Sequence, residues 1–167
     1  QVADKTSIGF GLNAQYVDLL MSQKVFLGPS VADGEAKIEA DSWGFGYNLG
    51  VLSQITPATR IGLSYRSEVE HNARGDLLLD ANSIQVNDKV HADVTLPASA
   101  MLSLVYEANA RLQWLADVTW TGWSAYDQLV VEYASGAEDL QSRQNFKDSM
   151  RYALGLIYDY DDRWRFR

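Results

Sequence analysis

The stretch WGFGYNLG, residues 43–50, sets Trp43, Phe45, Tyr47 and Leu49 against Gly44, Gly46, Asn48 and Gly50. Alternation with a period of two marks a β-strand, because successive side chains point to opposite faces of a sheet. In a soluble sandwich the bulky face packs into the core and the other face carries solvated groups such as Lys, Glu and Thr. Glycine suits that second face poorly, since it weakens a strand and offers no side chain to pack. The pattern fits a wall whose bulky face meets lipid and whose glycine face leaves room for something inside.

The same alternation recurs along the chain, and no segment has a helical period. Ile8, Phe10, Leu12, Ala14 and Tyr16 oppose Gly9, Gly11, Asn13 and Gln15. Ile61, Leu63, Tyr65 and Val69 oppose Gly62, Ser64, Arg66, Glu68 and Glu70. A fourth row runs from Val94 and Leu96 through Ala100, Leu102 and Leu104 to Tyr106, with Pro97 predicting a kink or bulge. Leu112, Trp114, Ala116, Val118 and Trp120 face away from Gln113, Asp117, Thr119 and Thr121. Tyr152, Leu154, Leu156, Tyr158 and Tyr160 face away from Lys147, Ser149, Arg151 and Gly155, and a further strand begins near Arg163.

Connections alternate in length. The spacing predicts tight turns at 56–59, 107–111 and 159–163, and long polar loops near 22–41, 72–91 and 134–145. Outer-membrane barrels have this asymmetry, with short periplasmic turns and long extracellular loops. Aromatic placement agrees. Trp114 and Trp120 bracket Ala116 and Val118, while Tyr152 and Tyr160 bracket Leu154 and Leu156. Tyr152 to Tyr160 spans about 26 Å along the strand, or about 20 Å along the membrane normal at a tilt of ~40°. The same rows would also serve as the core of a soluble lipocalin-like barrel. Glycines on the supposed solvent face, and rows that end in Trp and Tyr, favour the membrane.

Composition excludes other classes. The net charge of −8 and the absence of a long basic run argue against a nucleic-acid partner. Cysteine is absent, so no thiolate metal site or disulfide is possible. No apolar stretch approaches the ~20 residues of a transmembrane helix. The histidines, His71 and His91, belong to no metal spacing, and no GxSxG elbow occurs. His91, Asp93 and Ser99 offer the residue types of a hydrolase triad, but on one strand they cannot converge without a bend. The reading is not an enzyme, with no cofactor and no metal.

The runs SIGFGLNAQY, WGFGYNLGVLSQI, RIGLSYRSEVEH, LPA at 96–98, WTGWSAYDQL and NFKDSMRYALGLIYDYDDRWRFR resemble the FadL-type long-chain fatty acid transporters of Gram-negative outer membranes. The resemblance covers nearly the whole chain. It implies an all-β fold, an antiparallel transmembrane β-barrel meander that is 14-stranded, monomeric and plugged by an N-terminal hatch. Such a barrel passes long-chain fatty acids or other hydrophobic compounds, aromatic hydrocarbons among them, by diffusion through an opening in its wall. Residues 1–167 then form a single partial barrel domain of about six strands and the start of a seventh, with the hatch and remaining strands elsewhere. An open barrel edge in lipid leaves backbone groups unsatisfied, so the native protein is expected to be longer.

The resemblance also implies a capture groove between the first two long loops. Leu19, Leu20, Met21, Val25, Phe26 and Leu27 are candidates for its apolar lip, or else lipid-facing residues running into a loop. A fatty acid carboxylate needs a cation or several donors, because a buried unpaired charge is expensive. Lys24 and Arg143 lie near positions where the family places basic residues close to ligand. Arg66, Glu68, Asp117, Lys147 and Arg151 fall on the inner face in this register, where an ion-pair network stabilising the barrel is the expectation. A structural or adhesive barrel differs from a transporter in lacking an apolar interior pocket.

Overall fold

The computed structural model describes residues 5–26, 28–29, 33–81, 84–136 and 138–167. β-Strands dominate: β1 (Thr6–Val25), β2 (Gly34–Thr56), β3 (Thr59–Arg66), β4 (Val69–Ala81), β5 (Ile84–Leu96), β6 (Ser99–Asn109), β7 (Leu112–Thr121), β8 (Gln128–Tyr133), β9 (Leu140–Arg143), β10 (Ser149–Asp159) and β11 (Arg165–Phe166). A 3-10 turn, Trp123–Ala125, interrupts them. Every pairing is antiparallel, and the order across the sheet is β11-β10-β7-β6-β3-β2-β4-β5-β8-β9, with β1 on the other side of β2. Among the described residues no helix is long and apolar enough to cross a membrane, which leaves a strand-built crossing untouched.

That order looks irregular only because four long strands are each broken once. β3 and β4 run along successive halves of β2, β5 and β6 follow them, then β7 and β8, then β10 and β9. The breaks fall at Ser67–Glu68, Pro97–Ala98, 122–127 and 144–148. They lie side by side, since Arg66 pairs with Ser99, Ser99 with Thr121, and Thr121 with Ser149. The wall is therefore a meander of long strands crossed by a lateral seam. The β1–β2 hairpin runs through the seam with its register unbroken from Thr6↔Ser53 to Val25↔Gly34.

Below the seam the expected rows hold. Phe45 is 71% and Leu154 89% exposed, on the face that also carries Leu63, Leu102 and Val118. The turns at 56–59, between β6 and β7, and between β10 and β11 are short.

Above the seam two expectations change. Residues 22–41 and 72–91 are mostly strand rather than loop, because β1 runs to Val25, β2 starts at Gly34, and β4 and β5 form a long hairpin. The third and fourth rows also change phase. Between the pairs Asn48↔Arg66 and Asp41↔Arg74, six residues of β2 face seven on the other side, a bulge of one residue. Val69 is thereby carried off the lipid row onto the glycine face, and its partner Leu96 goes with it.

This bulge explains the glycines. Val69 and His71 are each only 2% exposed, and they lie against Gly44 and Gly46. A Cβ at Gly44 would stand 2.5 Å from Val69 Cγ1 and 2.7 Å from His71 Cε1, while one at Gly9 would meet nothing within 4 Å. Valine is stiff at χ1 and cannot swing aside. Gly44→Ala is expected to destabilise the folded full-length barrel by about 1–3 kcal/mol, whereas Gly9→Ala is expected to be neutral or slightly stabilising. Urea titration in detergent micelles measures both, and equal effects would contradict this packing.

Candidate functional site

The two halves of the wall differ in polarity. Below the seam the glycine face is mixed, with Asn13, Asn48, Arg66, Ser99, Thr119 and Arg151 beside Leu52, Met101, Val105, Leu115 and Ile157. Above it, the same face of β2 continues through Ser42 and Ala40 to Ile38, and its neighbours across the ladders are Leu77, Val90, Ala92 and Val131. Val90, Ala92 and Val131 form a buried cluster with Ile38, Leu77, Leu129 and Tyr133 packed against it. The other face inverts from apolar to charged. The row Leu49, Tyr47, Phe45, Trp43 becomes Asp41, Glu39, Lys37, Glu35.

The inversion coincides with an aromatic belt. Tyr16 and Trp43 make a tilted contact with ring centroids 5.3 Å apart, and Trp120, with Trp123, Tyr126 and Phe146 in the breaks, surrounds the seam on the far side. Aromatic girdles mark the membrane interface. Above it the outer face meets water and carries charge, so apolar residues collect on the opposite face.

Backbone groups freed at the seam find local partners. The N–H of Ser67 donates to the Tyr47 carbonyl at 2.9 Å, and its Oγ accepts from the Tyr47 N–H at 2.9 Å. Asp148 accepts from the Trp120 indole N–H at 3.1 Å and from the Ser124 N–H at 3.0 Å. Hydrogen bonds from the side chain and backbone of Ser124 hold the Asp148 carboxyl below its usual range against desolvation, and the Trp120 indole adds to them.

The predicted site residues are dispersed. Lys24 lies on the charged outer face, paired with Glu35 at 2.8 Å. The Glu35 hydrogen bond and charge raise the Lys24 pKa, and the same contact lowers that of Glu35. Arg143 ends β9 opposite Gln128, on that same face. Four strands separate it from Lys24, about 24 Å at ~4.8 Å per strand. The lip residues divide by alternation. Leu20 is outward with Lys24, Leu19, Met21 and Val25 are on the glycine face, and Phe26 is exposed beyond the strand. Leu27 lies outside the described residues.

Arg66, Asp117 and Arg151 lie on the glycine face below the seam, while Glu68 and Lys147 sit in two of the breaks. Among the described residues no ion pair joins any two of these five. Arg151 reaches only Thr119 Oγ1, at 3.5 Å. His91 Nε2 lies 3.2 Å from Asp93, but Ser99 is across the Pro97–Ala98 break on the opposite face, so no triad assembles. Sequence reasoning missed His71 and Val69 as the filling of the glycine face. Their apolar neighbours Ala73 and Leu77 repeat at a period of two and carried the signal.

All 167 residues match the family described as outer membrane protein transport protein (OMPP1/FadL/TodX). The long-chain fatty acid transport protein of Escherichia coli (strain K12) is 32% identical over 145 residues, covering 79% of this chain and 32% of that protein. Outer membrane protein P1 of Haemophilus influenzae is 25% identical over 197 residues, covering all of this chain and 43% of that protein. The chain thus spans less than half the length of either. A crystallised FadL homologue from Pseudomonas aeruginosa superposes with a TM-score of 0.80 at 20% identity, over 99% of this chain and 45% of that one. The toluene transporter TodX of P. putida gives 0.72 at 18% identity, over 97% and 49%. These two likenesses establish the fold.

The Asp148 geometry has a pH signature. Its folded pKa is depressed, so its stabilising contribution is complete above the unfolded carboxylate value of about 3.9 and is lost as pH falls through the folded value. Asp148→Ala is expected to lower the melting temperature of the full-length barrel at pH 7. The gap to wild type is expected to shrink in a thermal melt below about pH 4.

Proposed function

The chain belongs to the OMPP1/FadL/TodX family of outer membrane transport proteins, and from that premise we propose that the whole protein carries hydrophobic small molecules, long-chain fatty acids first, across the outer membrane by diffusion and without altering them chemically. The observation that carries this reading is the match of all 167 residues to a family of outer membrane transport proteins. Above the seam the glycine face gathers a buried cluster of Val90, Ala92 and Val131, with Ile38 and Leu77 packed against it. Leu19, Met21 and Val25 extend that face toward the rim.

Within this proposal residues 1–167 supply one continuous part of a closed, monomeric barrel whose hatch and other strands lie elsewhere in the protein. Lys24 and Arg143 act as cations at the rim that attract an anionic head group on arrival. Lys24 must exchange Glu35 to do so. That pairing favours a second reading, in which the ligand is a neutral aromatic hydrocarbon and the rim charges are ordinary surface ion pairs.

Uptake of labelled oleate and of labelled toluene by cells with and without the gene separates the two. Loss of oleate uptake on deletion supports the first reading, loss of toluene uptake alone supports the second, and no change in either overturns transport. Glu35→Gln frees Lys24. If Lys24 receives carboxylates, this variant is expected to bind oleate up to about 10-fold more tightly and methyl oleate unchanged, by titration of the purified full-length protein.

A further inference from the structure

We infer that the lower half of the glycine face holds an uncharged hydrocarbon, an aromatic ring or a length of alkyl chain, in a trough floored by Gly9, Gly50 and Gly62 and walled by Leu52 and Met101. The inference rests on the transport reading and names a binding place for its cargo on this part of the wall.

The glycines of this face have two kinds of surroundings. Toward the seam they make room for the chain itself, since Val69 and His71 lie over Gly44, Val69 and Ser67 over Gly46, and the Asn48 side chain over Gly11. Lower down they do not. Among the described residues a Cβ at Gly9 would meet nothing within 4 Å, and one at Gly50 only the Leu63 carbonyl oxygen at 4.0 Å. Neither glycine has a positive φ, so no turn conformation calls for it. Glycine inside a strand weakens it and marks a place where a ligand or another backbone comes close.

The register assembles these positions into two neighbouring rows. Gly9 pairs with Gly50, Gly50 with Ser64 and Ser64 with Met101, while the row beneath runs Ser7, Leu52, Gly62, Ser103. Three strand spacings of ~4.8 Å make the trough about 14 Å long. Its volume is about 420 Å³, a size that suits a small molecule. Leu52 is 49% and Met101 37% exposed, so their apolar groups are open to the trough, unlike the closed cluster above the seam. Leu52 leans across the floor, with Cδ1 3.6 Å from a Cβ placed on Gly62.

Charge decides the class of occupant. None of the residues lining the trough is charged, and its polar side chains are serine hydroxyls. Arg60 and Asp117 flank it on the same face with opposite signs. A carboxylate on this floor would lose water with no cation beneath it, whereas a hydrocarbon gains by leaving water.

The test uses the purified full-length protein in detergent, with a neutral diazirine-bearing alkylbenzene as photolabel mapped residue by residue by mass spectrometry. Saturable label is expected on Leu52 and Met101, beside non-saturable label on Leu63 and Leu102 of the lipid face. Competition by toluene assigns the trough to an aromatic ring and competition by oleate to an alkyl chain, and either supports the inference. Gly9→Leu combined with Gly50→Leu fills the floor and is expected to cut the saturable label at least about 10-fold, with the melting temperature unchanged. Label confined to the lipid face of the wild-type protein overturns the inference, whether or not the double variant folds. Saturable label that survives in a folded double variant overturns it as well. A double variant that melts lower, beside wild-type protein unlabelled at Leu52 and Met101, shows that the trough seats another segment of the protein. Uptake that is lost on deletion of the gene, beside an unlabelled trough, refutes only this site; uptake that deletion leaves unchanged refutes transport itself.

Discussion

Hydrocarbon provides no partner for a peptide group, and this single constraint shapes the wall. Each unsatisfied N–H or C=O in lipid costs several kcal/mol, so strands that cross must be laddered on both sides. Below the seam β2, β3, β6 and β7 are laddered on both sides without interruption except at the turns. The breaks are confined to one level, and that level carries the aromatic belt where lipid gives way to head groups and water. Even there, Ser67 and Asp148 stand in for missing ladder partners. A bulge is tolerated where the solvent changes.

The bulge in turn determines what faces what. One extra residue between Arg66 and Arg74 reverses the side on which every later residue of β4 emerges, so β4 meets the glycine face with Val69 and His71. Gly44 and Gly46 leave the space they fill. Polarity inversion is therefore the joint result of an unbroken β2, which changes composition at Trp43, and broken neighbours, which change phase. Neither alone would place Leu77, Val90 and Val131 beside Ile38.

Much of this was legible in the sequence, and the parts that were not have physical reasons. Rows of large residues at a period of two, as in 43–51 and 112–120, are forced by lipid on one side, so strand, face and belt could all be read. The turn at 56–59 was equally plain. Polar composition suggests a loop near 22–41, yet Ala36, Ile38 and Ala40 keep the strand period against Glu35, Lys37, Glu39 and Asp41. The charge reflects water outside the membrane rather than loss of structure. Phase was harder. A bulge at Ser67–Glu68 has no glycine or proline to announce it, whereas Pro97 did announce the break beside it. Site residues were least legible, since Lys24 and Arg143 were placed by resemblance alone, and whether a cation has a partner depends on cross-strand neighbours such as Glu35 that spacing does not reveal.

The meander has a consequence for assembly. Once the breaks are discounted, every long strand pairs with the ones before and after it in the chain, so the sheet can grow in the order in which its strands are delivered. Within the wall the β1–β2 hairpin is the part whose register runs unbroken across both solvent environments. Each arriving strand finds an edge of defined phase and covers it as it pairs. Exposure of unpaired backbone is thereby limited to the two borders of the growing sheet, which lowers the chance that two growing sheets join each other instead of themselves.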